Sequence, residues 1–373
     1  MQSIYLDHAA FTPIESSAID AMAAAARELN GNPESMHHAA RRTYSAVNEA
    51  RVAIGSYLGA DPTELVLFGS ATAASIAAID AVMRYAAGPV ASSALEHPRL
   101  ALALRQHCVG QPITMLACVA GDFVKDRCAE ALGGAHLVAL SACNHELGTA
   151  PDLLDLMRAA PQAYWLVDAV QAAPWLDLRP LMHDRALIVI ASSKLGGPPG
   201  VAALRVPSAL RRALGPGWPE STRSPSWLAS IGFGAALRAR SGAGQRSAVL
   251  AKARLRSRTL LDGLRMIVPN LAHNAGSCWL GPIVNVSFPG VDALALEHAL
   301  DLESVAVSRT AACQQRLKTS SPVLLAAFPQ DPWRAAASVR LSLGWNTSDA
   351  EVAEVLVRMK RILDMFAHGD ISI

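Results

Sequence analysis

A single lysine stands between two apolar runs in the stretch Ala186-Leu-Ile-Val-Ile-Ala-Ser-Ser-Lys-Leu-Gly-Gly-Pro-Pro-Gly-Val-Ala-Ala-Leu204. A lysine in a tight loop is ordinarily a solvated cation. Its amine is also the one side-chain group that condenses readily with an aldehyde, so the polar residues after the other apolar runs have to decide between the two readings. Gly69-Ser-Ala-Thr72 follows Leu-Val-Leu-Phe68, Asn144 follows Leu140-Ser-Ala-Cys, and Asp168 ends Trp165-Leu-Val. Gln171 comes about one helical turn after Asp168, Ser192 and Ser193 precede Lys194, and His97 precedes Pro98. Taken singly, Asp168 reads as a helix cap, Asn144 as a turn residue and His97 as a surface histidine.

Taken jointly they describe one kind of ligand. A lysine amine for an aldehyde, a carboxylate for a ring nitrogen, and a phosphate cradle suit pyridoxal 5'-phosphate. In that reading Lys194 carries the cofactor, Asp168 keeps its ring nitrogen protonated, and His97 lies against the ring face. The Asn144 amide, or that of Gln171, donates to the 3-oxygen. Hydroxyls and backbone N–H groups at Ala71, Thr72 and Ser192 or Ser193 take the phosphate, because free amides and the dipole at a helix start attract anions.

The elements that must hold these groups alternate. Residues 15–29 and 38–58 read as helices, and the residues from Gly69 open another. Strand patterns occur at 64–68, 89–92, 136–141, 164–168, 186–190 and 201–205. Wholly apolar strands between helices predict an α/β domain whose mostly parallel sheet is covered on both faces, with ligands at the carboxyl ends of its strands. Residues 207–244 read as loop plus helix. Beyond them come a long helix at 247–266, strands at 284–288, 304–307 and 338–343, and helices at 292–301 and 348–366, an order that suits a smaller α+β domain.

The bulk properties narrow the class. The 373 residues are 51% hydrophobic and 17% charged, with a formal net charge of +2, which suits a well-buried globular protein and points to no nucleic-acid or membrane partner. No apolar run reaches the roughly 18 residues of a membrane span, and the first residues lack a signal-peptide pattern, so the cytoplasm is the expected location. The six cysteines form no CxxC pair and no metal-ligand spacing.

Several stretches together resemble the NifS-like cysteine desulfurases, in the fold-type-I, class-V aminotransferase group of pyridoxal-phosphate enzymes. Ile4-Tyr-Leu-Asp-His-Ala-Ala10 and Gly31-Asn-Pro-Glu-Ser-Met-His37 are similar to the family's opening segments. Ala94-Leu-Glu-His97 resembles the stretch with the ring-stacking histidine, Asn144-His-Glu-Leu-Gly148 the Asn-Asn-Glu-x-Gly segment, and Asp168-Ala-Val-Gln171 the Asp-x-x-Gln segment. Ser192-Ser-Lys-Leu-Gly-Gly-Pro-Pro-Gly200 resembles the lysine loop, Val307-Ser-Arg-Thr-Ala-Ala-Cys313 the mobile cysteine loop, and Val339-Arg-Leu-Ser-Leu343 the strand with the substrate-clamping arginine.

The resemblance implies a large pyridoxal-phosphate-binding α/β domain with a mostly parallel seven-stranded sheet at 15–245, and a smaller α+β domain with the cysteine loop at 246–373. Residues 1–14 would pack with the smaller domain. It implies a homodimer that converts L-cysteine to L-alanine and moves the sulfur to Cys313 as a persulfide, then to an acceptor protein or small thiol. Lys194, Cys313 and His97 would be catalytic, and Arg340 with Asn144 would bind substrate. Ser226 would stand where the family's partner-reaching threonine lies. Two other outcomes stay open: a related class-V enzyme (C–S lyase, selenocysteine lyase or epimerase) acting on another amino acid, and an inactive scaffold that binds a sulfur acceptor. The chain departs from the family at Ser193, where histidine usually precedes the lysine, at Ala73, where glutamate follows the threonine, and at Arg223-Ser-Pro-Ser-Trp227. Arg309, Arg316 and Lys318 surround the cysteine loop with positive charge, which favours a thiolate.

Overall fold

The computed structural model describes residues 3–215, 218, 225–240, 243–309 and 320–368. Cys313, Arg316, Lys318 and Arg223 lie outside these residues. In chain order the strands are β1 (Ile4–Tyr5), β2 (Leu65–Phe68), β3 (Val90–Ser92), β4 (Ile113–Met115), β5 (Cys118–Val119), β6 (Asp122–Phe123), β7 (Leu137–Ser141), β8 (Tyr164–Asp168), β9 (Ala186–Ala191), β10 (Ala202–Arg205), β11 (Ala272–His273), β12 (Ile283–Ser287), β13 (Val305–Ala306) and β14 (Ser338–Ser342).

Seven of them form one sheet in the order β2-β10-β9-β8-β7-β3-β4. β10 runs antiparallel to both its neighbours and the other pairings are parallel. Side chains alternate across a strand, so the apolar runs feed two cores at once. Leu137, Ala139, Leu166, Leu187 and Val189 pack on one face with the helices Ala71–Tyr85 and Pro98–His107. Val138, Leu140, Trp165, Val167, Ile188 and Ile190 face the other, where His38–Leu58 and Trp227–Ala239 contribute Ile54, Leu58, Phe233 and Leu237. Gly234 lies against Ala50, where a Cβ would meet the Ala50 Cα at 2.6 Å, so these two helices approach backbone to backbone. Gly232 lies against Met22 of the helix Ser16–Glu28 and against Pro198, so Trp227–Ala239 is covered on several sides and is apolar nearly all round.

A second, three-stranded antiparallel sheet, β11-β12-β14, carries a separate core with the helices Ala243–Ile267, Ala293–Leu302 and Asp349–His368. The chain's start belongs to this layer: β1 pairs in parallel with β13, and Ile4 and Leu6 are buried in the same core. From there it crosses to the main sheet, where Thr12 N donates to Ser193 O at 3.0 Å. The N-terminal residues therefore run directly past the lysine turn.

The sequence pattern did not reveal β4, the helix Pro98–His107 or the β5–β6 pair. β4 is a three-residue edge strand with two exposed side chains, which leaves no apolar run to detect. None of the described helices is long and apolar enough to cross a membrane.

Candidate active site

The parallel strands β2, β3, β7, β8 and β9 all end at one edge of the sheet, and a cavity of about 340 Å³ lies there. That volume falls in the range of small-molecule sites. Lys194, Asp168, His97, Gln171, Ala71, Thr72, Ser193 and Arg340 all line it, together with Ala9, Ala10, Ser141, Cys143, His145 and Arg99.

Lys194 closes a single 3₁₀ turn, Ser192–Lys194, at the end of β9. The turn is held by Leu195 N and Gly197 N, both donating to Ser192 O. A side chain at Gly197 would collide with Ser192 Oγ, so glycine is required for that tight return. The Lys194 ammonium donates to Ala10 O. Its pKa falls from 10.5 to about 8, because burial disfavours the charge and Arg340 adds repulsion, while Asp7 and Asp168 oppose the fall.

Asp168 is the last residue of β8, adjacent in the sheet to the strand that delivers Lys194. Its Oδ1 accepts from Val170 N at 3.0 Å, and burial nevertheless raises its pKa. A carboxylate in that position is short of positive charge. Gln171 Nε2 donates to Ala9 O at 2.8 Å, joining the loop after β8 to the N-terminal segment.

His97 caps the helix Pro98–His107, its Nδ1 accepting from Arg99 N at 3.2 Å. Its ring lies 4.9 Å, centroid to centroid, from that of His145. Burial, His145 and Lys194 together drive the His97 pKa down to about 3, so the imidazole is neutral. Ser70 caps the helix Ala71–Tyr85, its Oγ accepting from Ala73 N at 3.2 Å. The Ala71–Thr72 start of that helix therefore presents its free end to the cavity.

Arg340 lies on β14 and is almost wholly buried. Its Nη1 donates to His145 O at 2.8 Å and its Nη2 to Asp7 Oδ1 at 2.9 Å, while Nε has no partner. One guanidinium thus ties the second sheet and the chain's first residues to the cavity wall.

Three of the residues singled out from the sequence are placed elsewhere. Asn144 is buried behind the wall: its Nδ2 donates to Leu95 O at 2.7 Å, and its Oδ1 accepts from Glu146 N at 2.9 Å and Leu147 N at 2.8 Å. All of that hydrogen bonding holds the loop, and the neighbouring His145 faces the cavity instead. Ser192 is fully enclosed beneath the lysine turn with no partner for its Oγ, and Ser193 takes the wall position. Ser226 caps the helix Trp227–Ala239, accepting from Ala229 N at 3.3 Å, and lies off this chain's wall, as a residue directed at the partner's phosphate would. Cys313 lies outside the described residues.

The structure also brings in residues the sequence reading passed over. Glu96 is buried beside Ser141, whose hydroxyl donates to Glu96 Oε2 at 2.5 Å. Burial pushes its pKa up to about 8 against that donor, and Asp168 pushes in the same direction. Burial likewise raises the Cys143 thiol on the wall to about 12, which keeps it neutral. Asp7 was visible only as part of the Tyr-Leu-Asp-His segment, since nothing in the sequence pairs it with a residue 333 positions away.

The family model for class-V aminotransferases matches residues 4–355. The IscS-like cysteine desulfurase of Mycobacterium tuberculosis is 29% identical over 379 residues, covering 94% of this chain and 94% of its own length. The cysteine desulfurase IscS of Dictyoglomus turgidum is 27% identical, covering 97% of this chain and 95% of its own. Among solved structures, a NifS-like protein superposes with a TM-score of 0.85 at 20% identity, covering 98% of this chain and all of that one, 100%. The apo cysteine desulfurase of Thermococcus onnurineus superposes with a TM-score of 0.82 at 18% identity, covering 97% of this chain and 95% of that one. These superpositions establish the fold: fold type I, with a mostly parallel sheet between layers of helices.

Proposed function

This chain belongs to the class-V aminotransferase family, and from that premise we propose that it is a pyridoxal-phosphate-dependent cysteine desulfurase acting on L-cysteine. The cavity suits that cofactor on its own chemistry. It offers an amine made partly neutral by burial, a carboxylate short of a cation, and a capped helix start whose amides attract an anion. Bound there, pyridoxal 5'-phosphate would supply an aldehyde for amines and a ring that draws electron density from the substrate's Cα.

Lys194 would hold the cofactor through its aldehyde and, as a free amine, would move the substrate's Cα proton, a task for which burial already disfavours its charged form. Asp168 would keep a proton on the ring nitrogen, gaining the positive charge its burial calls for. The His97 ring would cover the ring face, with His145 buttressing it. Asn144 is committed to its loop, so Gln171, which lines the cavity, would be the donor for the 3-oxygen, with one N–H on Ala9 O and one left. Arg340 would take the substrate carboxylate, for which a planar guanidinium is suited.

The Cys313 thiolate would then attack the substrate sulfur. The new S–S bond takes the thiolate's electron pair, the C–S pair stays with the substrate carbon, and protonation of that carbon, with return of a proton to Cα from Lys194, leaves alanine. Cys313 retains the sulfur as a persulfide until an acceptor protein or small thiol removes it. By family likeness, the working form is a homodimer.

The observation that carries this reading is the convergence of Lys194, Asp168 and the Ala71–Thr72 helix start on one cavity. Borohydride reduction of the cofactor-loaded protein, followed by peptide mapping, should place the label on Lys194. Incubation with cysteine should release alanine equimolar with transferred sulfur, and Cys313→Ser should keep the cofactor's absorption band while losing persulfide. A label elsewhere, or full desulfuration by the serine variant, refutes the assignment.

A further inference from the structure

The cofactor reading leaves a charge to be matched. A phosphate monoester carries close to two negative charges at neutral pH. Among the described residues, three cationic side chains line the cavity: Lys194, Arg340 and Arg99. Lys194 sits at the end of β9 beside Asp168, and Arg340 is held by Asp7 and His145 O. Among the hydroxyls this chain itself brings to the cavity, Ser192 is enclosed behind the wall, so Thr72, Ser193 and the helix amides remain. None of those carries charge.

Arg99 is placed to supply it. The helices Ala71–Tyr85 and Pro98–His107 lie side by side, with Ala74, Ala77 and Ala78 of the first in one core with Leu100, Ala103 and Leu104 of the second. β2 and β3 point the same way and feed these helices, so both helices start at the cavity edge of the sheet. Arg99 is the second residue of its helix and lines the same cavity as Gly69, Ser70, Ala71 and Thr72. Its backbone N–H is taken by His97 Nδ1, while its side chain is exposed and enters none of the ion pairs among the described residues.

We infer that Arg99 is the cation that binds the cofactor's phosphate, an inference that rests on the pyridoxal-phosphate reading above. A guanidinium fork grips two phosphate oxygens at once, which a hydroxyl cannot do. The chain thus meets at the start of a neighbouring helix a demand that Ser193, beside the lysine, leaves unmet.

The test compares two ligands that differ only in the phosphate. The full-length chain, stripped of cofactor, is titrated with pyridoxal 5'-phosphate and with pyridoxal, following the absorption of the bound form. Wild type should bind the phosphate ester far more tightly. Arg99→Ala should weaken that binding roughly ten- to a hundredfold while leaving pyridoxal affinity unchanged, and Arg99→Lys should recover part of the loss. Unchanged preference for the phosphate ester in Arg99→Ala overturns the role of Arg99 and leaves the cofactor reading standing. Wild type that binds neither ligand sinks the cofactor reading itself. Equal loss for both ligands would mark Arg99 as merely structural and also refute the proposal.

Discussion

The depressed pKa of Lys194 can be tested without any cofactor chemistry. With the pKa at about 8 instead of 10.5, the amine is neutral in about one molecule in ten at pH 7, against roughly one in three thousand for a solvated lysine. That is a gain of roughly 300-fold in free amine. Competitive labelling of the cofactor-free protein with acetic anhydride over a pH series, read by peptide mapping, gives the midpoint for Lys194 directly. Two variants should move it oppositely. Arg340→Gln removes the second-largest cause of the depression and frees Asp7, so the midpoint should rise. Asp168→Asn removes a charge that supports the ammonium, so the midpoint should fall further. Stability provides an independent readout. The penalty for burying the ammonium is fully present below pH 8 and vanishes as pH rises through 10.5. Lys194→Met should therefore stabilise the cofactor-free protein at pH 7, by at most about 3 kcal/mol, with no gain at pH 11. A labelling midpoint near 10.5 would refute the reasoning, since it would mean that the amine is solvated.

Glu96 should titrate in the opposite sense: its folded pKa is raised to about 8 from 4.5, so wild-type stability falls as pH rises between those values. Glu96→Gln should remove that slope and stabilise by up to about 3 kcal/mol at pH 7, measured by urea unfolding; a wild-type profile without the slope would rule out the buried neutral acid. Arg340→Lys keeps the charge but not the fork. It should raise KM for cysteine at least tenfold with little change in the cofactor's absorption band, and an unchanged KM would remove Arg340 from substrate binding.

How far each residue could be read depended on what kind of information it carried. Asp168 and Lys194 end wholly apolar runs, and a buried parallel strand announces both its extent and its carboxyl end. Their arrival on neighbouring strands follows from the order β9-β8, which no local pattern encodes. Asn144 was legible as a polar residue after a strand, but not as the loop's internal fastener. That role depends on Leu95, Glu146 and Leu147 all reaching it after folding. Ser192 and Ser193 are equivalent in sequence, and a single 3₁₀ turn put one behind the wall and the other on it.

From the sequence alone came the residue types, the apolar runs and therefore the alternation of strand and helix, because hydrophobic burial has a period that a linear pattern can display. Only the tertiary structure decided which polar side chains share the cavity, because sheet order is set by contacts between distant segments. It coupled Arg340 to Asp7 across 333 positions, turned His145 toward the cavity in place of Asn144, and brought the starts of two neighbouring helices to one cavity, so that Arg99 and Thr72 both line it.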